Sequence, residues 1–137
     1  MAELDFTAKD VIYRAQLERK RAMARILVVD DEPLIAAMLR EWLEELGCEA
    51  VGPAQSVSGA LDLIEGVELD GAILDVSLGR ENCYPVADAL RERGIPFAFV
   101  TGHGSQEIDP RYQEAIILAK PFRFEAMKKA VAQLRGA

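Results

Sequence analysis

Short, continuous aliphatic runs recur along this chain, and amphipathic stretches separate them. Such runs are typical of strands buried on both faces, as in parallel sheets covered by helices. The strong runs begin at Ile26, Gly71, Ile95 and Ile116, and a weaker one covers residues 50–52. Five strands that alternate with helices predict an α/β fold, namely a five-stranded parallel doubly wound sheet with right-handed crossovers.

Apolar residues at helical spacing fill the intervals between these runs. The clearest stretch begins at Pro33, a residue suited to the first helical turn because it has no N–H to leave unpaired. Ser56 is a candidate N-cap for the next helix. The interval before the last run is interrupted by Gly102, Gly104 and Pro110. We therefore expect a short or irregular fourth helix there.

Charge is distributed unevenly and indicates a boundary near Arg25. Residues 1–24 carry five basic and four acidic side chains, whereas residues 25–137 carry eleven basic and nineteen acidic ones. We interpret residues 1–24 as an N-terminal extension and residues 25–137 as the main domain.

The N-terminal extension itself has two interpretations. In the first interpretation, the extension forms an extra helix that is capped by Asp5 or Thr7. The apolar face of this helix points inward and consists of Val11, Ile12, Ala15 and Met23. Alternatively, it is a loose tail.

The overall composition excludes several classes of protein. A net charge of −7 over 137 residues argues against a nucleic-acid-binding surface, which needs clustered Lys and Arg. No apolar stretch is long enough to cross a membrane, and no secretory leader is recognisable. The two cysteines, Cys48 and Cys83, are too few for a disulfide framework. We therefore expect reduced thiols and a cytoplasmic location.

The four strong runs each end in a side chain that carries chemistry. Asp30 and Asp31 follow the first of them, Asp75 the second, Thr101 the third and Lys120 the last. The carboxyl ends of parallel strands meet at one rim of the sheet, where α/β proteins build their sites. We expect three carboxylates, a hydroxyl and an ammonium group to gather there. Taken alone, acids before Pro33 would equally suit a helix N-terminus, so the combination carries the prediction.

Crowded carboxylates repel each other, and a hard divalent cation such as Mg²⁺ relieves that repulsion. A carboxylate is also a competent nucleophile toward phosphorus, with which it forms an aspartyl phosphate. In this interpretation Asp75 is the nucleophile, and Asp31 with Asp30 is the metal site. Lys120 and Thr101 then neutralise and hold the phosphoryl oxygens.

Four motifs carry a resemblance to a known family. They read Val-Val-Asp-Asp-Glu-Pro at 28–33, Ile-Leu-Asp-Val-Ser-Leu at 73–78, Phe-Val-Thr-Gly at 99–102 and Ala-Lys-Pro-Phe at 119–122. Over residues 25–135 the chain resembles the receiver domain of two-component response regulators. The resemblance implies a flavodoxin-like sheet with strand order 2-1-3-4-5.

The same resemblance implies a role for each acidic residue at the rim. Asp75 is the phosphoacceptor, and Asp31 and Asp75 bind Mg²⁺ directly. Asp30 acts mainly through a bound water, and the main-chain carbonyl of Ser77 supplies another ligand.

For the remaining site residues, the resemblance implies that Thr101 and Lys120 contact the phosphoryl group. It also implies that the Lys120–Pro121 peptide bond is cis. An aromatic residue often stands three places before this lysine, but here that residue is Ile117. His103 is either a general base near Asp75 or, as we favour, a solvated loop residue.

A narrower resemblance concerns residues 84–90, 96–102 and 110–112. They are similar to a bacterial subfamily of stand-alone receivers with a Pro-Phe-x-Phe-x-Thr-Gly (FATGUY-type) motif, whose members tend to lack that aromatic residue. Val100 departs from the alanine usual in the motif.

These features predict a single-domain response regulator that is not an enzyme in its own right. A histidine kinase donates a phosphoryl group to Asp75 in a Mg²⁺-dependent step. The signal then leaves by contact with an unknown downstream protein, or the chain acts as a phosphate sink. A homodimer remains open.

Two other functions are alternatives to a response regulator. One is a small Mg²⁺-dependent phosphatase that uses an aspartyl phosphate, although Ser77 stands where such enzymes usually place a second acid. The other is a pseudo-receiver that binds partners without phosphorylation.

Overall fold

The computed structural model describes residues 7–14, 23–104 and 108–136. Five strands form one parallel sheet: β1 (Arg25–Val29), β2 (Glu49–Ala54), β3 (Gly71–Asp75), β6 (Phe97–Thr101) and β7 (Ile116–Ala119). Their order is β2-β1-β3-β6-β7, which confirms the predicted 2-1-3-4-5 arrangement of the five sheet strands. Two short antiparallel strands, β4 (Ser77–Leu78) and β5 (Glu81–Asn82), form a separate hairpin.

Helices cover both faces of this sheet. They are α2 (Pro33–Glu45), α3 (Val57–Gly66), α4 (Tyr84–Glu92) and α5 (Phe124–Gly136). A further short helix, α1 (residues 8–14), is exposed along its length. The Ser56 side chain accepts a hydrogen bond from the Gly59 amide and caps α3, as predicted. No helix within the described ranges is long and apolar enough to span a membrane.

Successive residues of the central strands enter two different hydrophobic clusters. Val28 and Ile73 pack with α2 and α5, whereas Val29 and Leu74 pack with α3 and α4. This alternation follows from the two-residue period of a strand between two helical layers. It explains why residues 26–29 of β1 and 72–74 of β3 are all aliphatic.

The second strand is longer than the weak run at residues 50–52 indicates. It continues through Pro53 to Ala54, whose carbonyl accepts a hydrogen bond from the Asp30 amide at 3.0 Å. Proline is tolerated here because β2 lies at the edge of the sheet, where β1 is its one partner among the described strands. Gly52 takes a positive φ of 94°, which accompanies the irregular register of this pair.

The described part of the segment between Thr101 and Ala115 forms no regular α-helix, as predicted. It contains a 3-10 turn at Pro110–Tyr112, capped by the Asp109 side chain. Tyr112 is buried beneath α4, where its ring stacks on that of Tyr84 with centroids 5.4 Å apart. The segment is therefore held by aromatic packing instead of by a regular helix.

The N-terminal extension is helical over residues 8–14, and Thr7 caps this helix through a reciprocal pair of hydrogen bonds with Asp10. The expected inward face is wrong: Val11 and Ile12 are 56% and 59% exposed. Helical periodicity selects a face but not a partner, and the described residues offer this face no packing surface. The predicted positions of Asp5 and Ala15 lie outside the described residues.

Candidate metal and phosphoacceptor site

Main-chain hydrogen bonds bring the carboxyl ends of the strands to one rim. The Val76 amide donates to the Val100 carbonyl at 3.0 Å, which joins the end of β3 to β6. The Lys120 amide donates to the Thr101 carbonyl at 2.8 Å, which joins the end of β7 to β6. The side chains that the sequence assigns to four separate strands thus become neighbours.

Three carboxylates meet at this rim. Asp30, Asp31 and Asp75 each offer an oxygen atom, and these atoms all lie within 4.8 Å of one another. Asp30 and Asp75 are buried, and Asp31 is half-buried. Among the described residues, this is the one group of three His, Cys, Asp or Glu side chains that lie close enough together to share one cation.

Asp30 provides the test of whether a metal ion suits the site. Its Oδ1 accepts a hydrogen bond from the Glu32 amide at 2.8 Å, but its Oδ2 is buried and has no hydrogen-bond partner among the described residues. A buried carboxylate oxygen without a donor is costly unless a cation or a cation-bound water satisfies it. Oxygen-only ligands of this kind match Mg²⁺, so the residues present fit that ion.

Burial dominates the electrostatics of Asp30. Loss of hydration, reinforced by the nearby charges of Asp75 and Glu32, raises the pKa of Asp30 from 3.8 to about 6. The Glu32 amide and the Lys120 ammonium oppose this rise without cancelling it. The site therefore holds an excess of negative charge that a divalent cation would offset.

Lys120 reaches the same pocket from the end of β7. Its Nζ donates to Asp75 Oδ2 at 3.2 Å and lies 3.8 Å from Glu32 Oε1. Burial lowers the pKa of Lys120, but the hydrogen bond and charge of Asp75, with Asp30 and Glu32, raise it overall. The ammonium group is thus held charged beside the predicted phosphoacceptor. The contact with Glu32 was not predicted, because an exposed acid before Pro33 reads as a helix-start residue.

Asp75 is held at both of its carboxylate oxygens. Oδ1 accepts a hydrogen bond from the Ser77 amide at 3.1 Å, and Oδ2 accepts one from Lys120. Burial raises the pKa of Asp75 and Asp31 adds to the rise, while Lys120 and the Ser77 amide lower it. An ionised carboxylate fixed in orientation beside a cation is suited to nucleophilic attack on phosphorus.

Thr101 ends β6 and is buried at the rim. Its hydroxyl oxygen accepts a hydrogen bond from the His103 amide at 3.1 Å. The His103 side chain itself is exposed, in line with the interpretation of a solvated residue. The Lys120–Pro121 bond is cis, as predicted.

The β4–β5 hairpin is the part of the site that sequence reasoning missed. It follows Asp75 directly and turns at Gly79 and Arg80, and the Cys83 amide closes its base on the Val76 carbonyl at 3.0 Å. A Cβ placed on Gly79 would lie 3.7 Å from Asp31 Oδ2, so the turn rests beside the carboxylates. Two-residue strands have no readable periodicity. The Gly79–Arg80 pair was the available signal, because Gly leads such turns.

Comparisons with known proteins agree on one family. The family model for the response regulator receiver domain matches residues 26–132. The phyllosphere-induced regulator PhyR of Methylorubrum extorquens is 30% identical over 130 residues, which is 91% of this chain and 49% of that protein. The chain thus spans about half the length of this curated relative.

Solved structures give the same picture. The solution structure of SdrG from Sphingomonas melonis Fr1 is 46% identical with a TM-score of 0.74, covering 82% of this chain and 97% of that one. The response regulator TrrA from Thermotoga maritima, solved in complex with Mg²⁺ and BeF, is 31% identical with a TM-score of 0.73. That match covers 82% of this chain and 99% of TrrA.

Proposed function

Because this chain belongs to the response regulator receiver family, we propose that it accepts a phosphoryl group on Asp75 from a histidine kinase and passes on a signal. The observation that carries the proposal is a cluster of three carboxylates, whose oxygen atoms lie within 4.8 Å of one another: Asp30, Asp31 and Asp75. Lys120 forms an ion pair with Asp75. Acidic clusters are common, but an acidic cluster with a buried, lysine-paired nucleophile suits phosphoryl transfer.

In the proposed reaction an Asp75 oxygen forms a bond to phosphorus while the phosphorus–nitrogen bond of a phosphohistidine breaks. The imidazole leaves with the electron pair of that bond. Lys120 moves its ammonium group from Asp75 Oδ2 to a phosphoryl oxygen, and the Thr101 hydroxyl donates to another. The Ser77 amide keeps the carboxylate oriented throughout.

Mg²⁺, when bound, supplies positive charge that offsets the phosphoryl oxygens. Asp30, Asp31 and Asp75 would hold it, together with the main-chain carbonyl of Ser77. The unpartnered Oδ2 of Asp30 supports this assignment, and the relative TrrA was solved with Mg²⁺ and BeF. Asp30 would hold the ion or its bound water, and the Glu32 amide keeps the Asp30 carboxylate oriented.

The signal would leave by contact with a downstream protein, or the chain would drain phosphate from its kinase. We assign it to the stand-alone subfamily with the Pro-Phe-x-Phe-x-Thr-Gly motif, on the strength of residues 96–102. Residues 1–24 remain a predicted extension of the receiver domain, and we propose a cytoplasmic location for the protein. No output chemistry of its own is proposed beyond phosphorylation and dephosphorylation of Asp75.

The test is phosphorylation by a small donor. Wild type and Asp75→Asn are incubated with acetyl phosphate, with Mg²⁺ or with EDTA, and their intact masses are measured. We expect one phosphoryl group on wild type with Mg²⁺ and none on Asp75→Asn. An unmodified wild type would contradict the proposal. Steady release of phosphate from a phosphomonoester would favour the phosphatase alternative instead.

A further inference from the structure

One basic side chain at the rim has no role in the proposed phosphoryl transfer to Asp75. Arg80 stands at the turn of the β4–β5 hairpin, is exposed, and makes no hydrogen bond or ion pair with any residue that the structure describes. The other cation of the site, Lys120, is already engaged by Asp75 and Glu32. Arg80 is therefore a positive charge at the entrance that is available to a ligand.

The hairpin holds Arg80 close to the carboxylates. Leu78 pairs with Glu81 across the turn and is itself buried, which anchors the hairpin to the core. Gly79 takes a positive φ of 63°, as the first residue of a two-residue turn often does, and it lies next to Asp31. Since Arg80 follows Gly79 directly, its flexible side chain starts from the edge of the site.

An incoming phosphoryl donor faces an electrostatic obstacle at this rim. The donor is an anion, and the pocket presents three carboxylates, with the Glu32 carboxylate beside Lys120. Like charges slow association, whereas a cation at the entrance raises the local concentration of an anion. A guanidinium group also matches a phosphoryl group with two parallel N–H donors.

We propose that Arg80 is a specificity-determining residue that receives the anionic phosphoryl donor at the entrance to the site. It acts on the approach of the donor before the bond to Asp75 forms, and Lys120 holds the group afterwards. This inference rests on the proposed function, because it requires Asp75 to be phosphorylated. It adds a preference for donors with a more negative phosphoryl group.

The test compares Arg80→Gln with wild type in single-turnover phosphorylation at saturating Mg²⁺ and low ionic strength. With acetyl phosphate, a dianion at pH 7, we expect the second-order rate constant to fall about fivefold, within the range by which charges steer association. With phosphoramidate, largely a monoanion at that pH, the fall should be smaller. Raising the salt to about 0.5 M should bring the variant to within about twofold of wild type.

Two further variants separate donor contact from other effects. Arg80→Lys keeps the charge and should recover most of the rate. Arg40→Gln makes the same charge change on an exposed position of α2, about 10 Å along the helix from Pro33, and should leave the rate near wild type. Mg²⁺ affinity and melting temperature are measured for each variant, and neither should fall in Arg80→Gln.

The inference is overturned if Arg80→Gln reacts at the wild-type rate, if its deficit persists unchanged at high salt, or if Arg40→Gln shows the same deficit. A fall in Mg²⁺ affinity parallel to the rate would also overturn it, because that result indicates a disturbed hairpin. A wild type that takes no phosphoryl group from either donor contradicts the proposed function itself. Phosphorylation of wild type with an unaffected Arg80→Gln contradicts the inference alone.

Discussion

The Nζ atom of Lys120 lies 3.2 Å from Oδ2 of Asp75, so the ammonium group already contacts the proposed phosphoacceptor. Both side chains are shielded, Asp75 being 6% and Lys120 25% exposed. The ammonium group therefore has two opposing effects. Its positive charge opposes the binding of a metal ion to the carboxylates. The same charge is positioned to neutralise the oxygen atoms of a phosphoryl group on Asp75.

Replacing Lys120 should separate these effects. In Lys120→Gln we expect Mg²⁺ to bind several-fold more tightly, because one positive charge has left the pocket. Phosphorylation by acetyl phosphate should nevertheless slow by at least about tenfold, because the developing charge on the phosphoryl oxygens loses its cation. Titration calorimetry and intact-mass kinetics measure the two quantities. Lys128→Gln, on the exposed side of α5, is the charge-matched control and should change neither.

The pH dependence of stability should reveal Asp30. Burial raises its pKa from 3.8 to about 6, so between these values the folded state retains a proton that the unfolded state has lost. The contribution of Asp30 to stability therefore falls as the pH rises from about 4 to 6, by up to about 3 kcal/mol.

Urea unfolding in EDTA at pH 4 to 7 measures this slope. Asp30→Asn should remove it and should be the more stable protein at pH 7. The control Asp62→Asn, an exposed carboxyl group on α3, should keep it. Equal slopes in wild type and Asp30→Asn would contradict the prediction.

The tyrosine beneath α4 should contribute measurably to stability. The Tyr112 hydroxyl donates to Asp88, and the Arg91 guanidinium lies 4.3 Å from the centre of the Tyr112 ring. Tyr112→Phe keeps the ring but removes the donor, which should cost about 1–2 kcal/mol of unfolding free energy. A double-mutant cycle with Asp88→Ala, which removes the acceptor, isolates the pair. Strictly additive losses would show that the hydroxyl and the carboxylate do not act together.

The cap of α3 gives a local test. Ser56 Oγ accepts the Gly59 amide at 3.1 Å, and Ser56→Ala leaves that donor without its partner. We expect a loss of about 1 kcal/mol in unfolding free energy by urea titration. Ser58→Ala, at the second residue of the helix, removes the 3.5 Å contact between the two hydroxyl groups but keeps the Ser56–Gly59 hydrogen bond, and it should be neutral or slightly stabilising. A neutral Ser56→Ala would show that water replaces the cap without cost.

The sequence predicts the sheet and the site together because both depend on strong local signals. The aliphatic runs that end at Asp30, Asp75 and Thr101 are typical of buried parallel strands. The topology of such a sheet then brings their ends to one rim. The order of the strands was inferred from the resemblance of the motifs, since periodicity alone does not rank strands.

The features that escaped prediction depend on tertiary context. The full length of β2 could not be foreseen, because Pro53 is acceptable only at a sheet edge and a strand's place in the sheet is not local information. The hairpin that carries Arg80 is too short for its strands to have a pattern. The exposure of Val11 and Ile12 depends on a packing partner that the amphipathic pattern does not specify.

The order of the strands also gives Asp75 and Lys120 different numbers of hydrogen-bonded neighbouring strands. Asp75 ends β3, which is bonded to β1 on one side and β6 on the other, whereas Lys120 ends β7, which is bonded to β6 alone within the described residues. A phosphoryl group on Asp75, as proposed, would therefore be attached to the central strand of the sheet. Lys120 lies on an edge strand, so a shift that such a group demands would disturb fewer inter-strand hydrogen bonds at β7 than at β3.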